Sequence, residues 1–262
     1  MKVEYVNHMG DDITVVNSAR VSFDKFSEGV GFDEIVEHVD EDGECTLHAF
    51  IPNLKDGDKK LIRYLAKHNH FTPFTHEMVT LREKVPIFVA RQRFKHVVGF
   101  SYNEVSRRYV SDVPDFHVPE TNGWRTRPEK VKQGSSTTDF VTHFKEPFMN
   151  GLTSPLLEEE YMTHIIKSTR LYTEMISSGV CPEQARMVLP QSMMTEYFVT
   201  GSLYAWARAY NLRKSSTAQL EIRELADEWN RILGALYPIS WEALTMTKVV
   251  RDYEQKCVTV EL

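Results

Sequence analysis

Apolar and polar positions mark out the elements of this chain. Residues 2–7 and 13–16 read as short strands. From 76 to 85, the alternation of Val79, Leu81 and Val85 with Glu77, Thr80 and Lys84 predicts a strand with one buried face. The acidic, Gly-containing stretch 27–43 has little periodicity and reads as exposed, part of an insertion over 27–57. Asp58 is placed to cap a helix whose Leu61, Ile62 and Leu65 share one face, with Asn69 as its stop and His68 and His70 at its end. Pro86 marks the turn into a helix over 87–96, which puts Gln92, Lys95 and His96 on one face.

The second half is more helical. Residues 110–150 read as a second insertion, mostly loop with a short helix near 138–148. Ser154-Pro155 opens a long helix in which Leu157, Tyr161, Ile165, Ser168, Tyr172 and Met175 recur, and Gly179 ends it. Cys181-Pro182-Glu183 starts a short turn carrying Arg186. A helical pattern spans 195–211, and Ser216 with Gln219 forms a capping box for a helix through Leu236. The stripe Tyr204, Trp206 and Tyr210 reads as core.

Composition narrows the chemistry. A chain of 262 residues, 42% hydrophobic, is long enough to bury a core as one domain over 1–262. Its formal charge of −6 argues against a general nucleic-acid or anionic-membrane binder. No apolar run is long enough to span a bilayer, and the N-terminus lacks a signal-peptide core, so the expected location is cytoplasmic. Cys45, Cys181 and Cys257 are widely spaced without a CxxC, which indicates neither a disulfide framework nor a thiolate zinc site.

Against that acidic background, residues 90–109 stand out as a local concentration of cations around His96, Glu104, Ser101 and Ser106. Such a segment suits a small anionic ligand. The chain has no GxGxxG and no GxxxxGK[ST], so a nucleotide would be gripped by side chains and helix ends. Arg108, Arg186 and Arg213 offer planar forks that match phosphate or a developing oxyanion. His68, His70, His76 and His96 lack a recognised zinc spacing, so no metal is expected. Ser106 has no GxSxG elbow and reads as a hydrogen-bonding hydroxyl. Cys181 reads more readily as a small buried residue than as a thiolate.

Four ordered blocks resemble the flavin-dependent thymidylate synthases. That family carries Arg-His-Arg, a spacer, a Ser and then Arg-Tyr, and Lys95-His96-Val97 through Ser106-Arg107-Arg108-Tyr109 is similar to it. The other blocks are Ser18-Ala19-Arg20-Val21-Ser22-Phe23, His68-Asn69-His70-Phe71-Thr72-Pro73-Phe74-Thr75-His76, and Ala185-Arg186-Met187-Val188-Leu189-Pro190 with Asn211-Leu212-Arg213. Lys95 and Val97 stand where the family has two arginines, and Ser202 and Arg208 stand in place of asparagines. The longer spacer before Ser106 contains Gly99, which can absorb it.

The resemblance implies an α+β single domain with a central, mostly antiparallel sheet and long helices, assembled as a homotetramer with active sites between subunits. It implies a methyltransferase that converts dUMP to dTMP, with methylenetetrahydrofolate giving the carbon and NADPH reducing FAD. Carried over, Gln92, Arg93, Lys95, Glu104, Val105, Ser106, Arg107, Arg108, Arg186 and Arg213 would surround dUMP, with Arg213 catalytic. Ser22, His70, Thr72, Lys95, His96, Val97, Glu104, Ser202, Tyr204 and Arg208 would lie at the FAD. Cys181 would be dispensable.

Overall fold

The computed structural model describes residues 1–39, 45–120, 123–128, 134–144 and 156–246. At its centre is an antiparallel four-stranded sheet in the order β1-β4-β6-β5, formed by β1 (Lys2–Met9), β4 (Met78–Pro86), β6 (Met194–Ser202) and β5 (Phe100–Glu104). One face of this sheet is apolar: Val79, Leu81 and Val85 of β4 and Tyr197 and Val199 of β6 are buried there. Helices α6 (Leu203–Arg213), α7 (Leu220–Leu236) and α8 (Pro238–Thr245) supply Trp206, Trp229 and Trp241, which complete the core.

The 13–16 segment is helical rather than a strand: α1 spans Asp12–Arg20. Asp11 and Thr14 form a reciprocal capping box, with Thr14 N donating to Asp11 Oδ1 at 2.9 Å, and this start signal outweighs the β-branched run. Val15 and Val16 then enter the core. Nor is the stretch from 27 an irregular exposed loop. It contains the antiparallel hairpin β2 (Phe32–Val39) and β3 (Cys45–Pro52), whose Ile35, Leu47, Ala49 and Ile51 join the core.

Helix α2 (Asp56–Lys67) buries Ile62 and Leu65, and Asn69, with φ 57°, ends it as expected. Its N-cap is Lys55, one turn before the expected Asp58. Asp58 is instead buried as an acceptor for Arg20 Nη2 and Ser27 Oγ, each at 2.5 Å, tying α1 and the following loop to α2. Pro86 is the N-cap of α3 (Ile87–Arg93), which stops before Lys95 and His96.

The expected helix over 195–211 divides in two. Its first part is β6, hydrogen-bonded on both sides, and only from Leu203 does the chain turn helical. Thr195, Tyr197, Phe198, Val199 and Thr200 favour a half-buried pleated surface. The sheet neighbours decide the ambiguity. Over 138–144 the chain forms isolated bridges at Phe140 and His143 rather than a helix, and 145–148 lie outside the described residues. Ser154 and Pro155 also lie outside them; α4 runs Leu157–Ser177, and Gly179 follows with φ 90°. The short α5 (Pro182–Ala185) begins after an exposed Cys181, which corrects the expectation of burial. Gln219 is the N-cap of α7 without a side-chain capping bond, so the capping box with Ser216 does not form.

Candidate active site

Three elements converge at the C-terminal end of α3. A helix end leaves carbonyls without α-helical partners, and here side chains from elsewhere take them. Arg213 of α6 donates from Nη2 to the Gln92 carbonyl at 2.9 Å. The Tyr102 hydroxyl of β5 donates to the His96 carbonyl at 2.7 Å and lies 3.3 Å from that of Arg93. These bonds replace the helical continuation expected over 94–96, so Lys95 and His96 ride on a turn.

Arg213 also donates from Nε to His96 Nε2 at 2.8 Å. An imidazole that accepts there carries its proton on Nδ1 and is neutral. Burial, then the charges of Arg213, Arg93 and Arg208, push His96 down to about 4, so it remains neutral near pH 7. Burial and the nearby Arg93 charge lower Arg213 as well. Gln92 donates from Nε2 to Gln219 Oε1 at 2.6 Å, which ties the same helix end to the start of α7.

Arg93 departs from its expected place. Its side chain is 0% exposed, which removes it from the ligand-accessible surface. Nε lies 3.3 Å from Glu83 Oε2 and Nη1 donates to the Tyr102 hydroxyl at 2.5 Å. The guanidinium carbon sits 4.5 to 4.7 Å from the ring centres of Phe100, Trp206 and Trp229. Glu83 accepts further from Tyr197 Oη at 2.5 Å and Trp229 Nε1 at 2.9 Å. A buried cation is therefore matched by a carboxylate and an aromatic cage.

Gly99 permits the return from this turn into β5. Its φ is +80°, and a Cβ would lie 2.8 Å from that of Ala205. Its carbonyl accepts from the amide of Ser202, while Ser202 Oγ accepts from Ala205 N and so caps α6. Ser202 is buried in this capping role. After β5, Glu104 accepts from Thr195 Oγ1 at 2.6 Å, and Val105 continues the pairing by donating to the Glu196 carbonyl.

Two further groups of expected residues lie in separate patches. Ser106 through Tyr109 form a turn in which Ser106 Oγ accepts from Arg108 N at 3.3 Å. Arg107 is tied down by Asp112, whereas Arg108 is exposed, with Nε 3.7 Å from Glu183 Oε2. Arg186 donates to the Glu183 carbonyl, so Arg108 and Arg186 flank one residue of α5. Among the described residues, no hydrogen bond or ion pair links this patch to Arg213. In the other patch, Tyr204 stacks on Phe71 at 5.2 Å and 29°, and Arg208 lies 5.9 Å from the Tyr204 ring. His70 and Thr72 flank Phe71 in the exposed segment after α2, where His70 also stacks at 6.2 Å on Tyr64. Ser22 lies in an exposed 3-10 turn after α1, and Lys95 and Val97 are exposed.

Sequence reasoning passed over Glu83, Tyr102 and Glu77. The signal was parity: Glu83 on β4 and Glu77 just before it share the parity of Val79, Leu81 and Val85, so Glu77, expected among the polar positions, is buried with them. A carboxylate on an apolar face needs partners. Glu83 has three; neither oxygen of Glu77 has one, and burial followed by Asp12 and Asp11 raises it to about 8. Among the described residues no three His, Cys, Asp or Glu side chains form a metal cage, and no helix is long and apolar enough to cross a membrane.

Comparison with known proteins bears on the whole arrangement. The family described as thymidylate synthase complementing protein matches residues 4–239. The chain is 32% identical to the flavin-dependent thymidylate synthase of Thermotoga neapolitana over 92% of its length and 89% of the relative. It is 34% identical to that of Kosmotoga olearia, covering 92% of this chain and 88% of the relative. A crystal structure of the UMP/dUMP methylase PolB from Streptomyces cacaoi, bound with 5-Br dUMP, superposes with a TM-score of 0.65 at 25% identity, covering 94% of both chains. The sequence blocks, the sheet that orders them and these relatives agree: the chain belongs to the flavin-dependent thymidylate synthase family.

Proposed function

We propose that this protein catalyses the reductive methylation of dUMP to dTMP. Methylenetetrahydrofolate supplies the one-carbon unit and NADPH the reducing equivalents. In the balanced reaction the methylene group leaves the folate for C5 of uracil, which releases its hydrogen as a proton. One hydride and one proton are consumed, giving dTMP, tetrahydrofolate and the oxidised nicotinamide. A bound FAD would supply the hydride-carrying chemistry between NADPH and the one-carbon unit.

The observation that carries this reading is the Arg213–His96–Gln92 arrangement. Arg213 is half-buried and held by two bonds, so its charge is fixed where solvent screens it less. A cation so placed stabilises negative charge building on the uracil ring. The neutral His96 holds Arg213 without neutralising it. Arg108 and Arg186, both exposed, are suited to the phosphate, with the Ser106 turn adding donors. Binding at the phosphate end would orient the base. Gln92, Lys95, Glu104, Val105 and Arg107 complete the proposed dUMP surroundings; Arg93 supports them from beneath.

The residues present also suit a flavin dinucleotide. Phe71, 48% exposed, with Tyr204 offers a stacking surface, Val97 and Val98 are open apolar groups, and Lys95 and Arg208 supply charge for a diphosphate. Ser22, His70, Thr72, His96 and the Ser202 end of α6 complete this set. Because the Arg108–Arg186 patch and the Arg213 cluster are separate within one chain, a homotetramer with sites shared between subunits accounts for their joint use. The protein is expected in the cytoplasm. Purified protein should show the yellow flavin spectrum, and dUMP should perturb it at micromolar concentration. Colourless protein that fails to take up added FAD would refute the reading.

A further inference from the structure

We propose that Tyr102 is a positioning residue: its hydroxyl, oriented by Arg93, holds the His96 turn so that His96 and Arg213 meet. A single chain of bonds runs from the core to this turn. Glu83 on β4 receives Tyr197, Trp229 and Arg93, which makes it a rigid anchor in the core. Arg93 then donates to the Tyr102 hydroxyl, so that hydroxyl's one proton points to the His96 carbonyl at 2.7 Å. On the other side of the same backbone, Arg213 reaches His96 Nε2 and the Gln92 carbonyl. The turn from Gln92 to His96 is thus clamped from the core by Tyr102 and from α6 by Arg213.

The clamp stands apart from the ligand groups. Arg93 is fully buried and Tyr102 packs with Phe94, Phe100 and Tyr197, so neither side chain stands in the open patches. Without the Tyr102 bond the His96 carbonyl is free to shift, which would carry the imidazole away from Arg213 Nε. Misplacement on that scale costs activity steeply when the displaced group serves the reacting atoms. The role of the pair in dUMP chemistry rests on the function proposed above; its geometry does not.

The test compares two tyrosine hydroxyls bonded to the Arg93–Glu83 pair. Tyr102→Phe removes the bond to His96, whereas Tyr197→Phe removes a bond to Glu83 while keeping its ring against Phe94 and taking no hydrogen bond from the turn. NMR titration of the His96 ring in ligand-free protein reads the pairing directly, with His96→Gln providing the assignment. In the wild type and in Tyr197→Phe, His96 should stay neutral down to about pH 4 against Arg213, Arg93 and Arg208. In Tyr102→Phe it should titrate nearer the ordinary value of 6.5. Arg93→Lys, which keeps the charge but gives up the fork, should do the same. Tyr102→Phe should also lower kcat/KM for dUMP by roughly tenfold with flavin content unchanged. A Tyr102→Phe protein whose His96 titrates as in the wild type overturns the proposal, whatever its activity, and so does an equal displacement in Tyr197→Phe. If the titrations hold but wild-type protein makes no dTMP, the positioning stands and the functional reading falls.

Discussion

Single residues in this chain carry roles set by burial rather than by type. Segment 90–109 was legible as a cluster of charge, yet nothing in its order separated Arg93 from Arg91 or Arg108. What distinguishes Arg93 is its long-range match to Glu83 and to aromatic rings on three other elements, β5, α6 and α7, information that lies outside the local sequence. Replacing Arg93 by Met leaves Glu83 buried and uncompensated, and a loss of about 3–5 kcal/mol in denaturant unfolding is expected. Glu77 makes the converse case. Folded protein holds a proton there that the unfolded chain has released above pH 4.5, so stability falls as pH rises from about 4.5 to about 8 and levels off beyond. Glu77→Gln should flatten that decline when urea midpoints are compared at pH 5 and pH 8. Cys181, exposed ahead of α5, touches none of the proposed chemistry. Cys181→Ala should leave turnover within about twofold of wild type, since isolated surface changes cost little.

At the scale of elements, local signals succeeded where one periodicity ruled alone. The apolar stripes of α2 and α4 and the strand over Met78–Pro86 were readable because their neighbours only confirm the pattern. The segment 195–211 was not, because a strand rich in aromatic and β-branched residues runs directly into a helix and blurs the two periods. Pairing with β4 and β5 resolves it. Gly99 and Gly201 mark the junction: a Cβ on Gly201 would lie 2.4 Å from the Phe100 ring. Gly99→Ala combines a positive φ with a clash against Ala205, so a loss of about 2–4 kcal/mol and a displaced 94–99 turn are expected, measurable as a lower Tm together with weakened dUMP binding.

For the whole molecule, the family and the α+β architecture were legible from four ordered blocks, because those blocks sit where sheet, turn and helix ends meet. The grouping of the site was less so. Order along the chain could not reveal that Arg108 and Arg186 flank Glu183 while Arg213 pairs with His96, since that depends on where α5 and α6 pack. The proposed homotetramer predicts a tetrameric solution mass by light scattering; an active dimer would contradict the tetramer, and an active monomer would contradict shared sites. The most direct measurement is tritium release from dUMP labelled at C5, with FAD, NADPH and methylenetetrahydrofolate present. The wild type should release tritium in step with dTMP formation, and Arg213→Ala should lose roughly a hundredfold in rate. Flavin-loaded wild-type protein that releases no tritium, or an Arg213→Ala variant as fast as the wild type, would contradict the account.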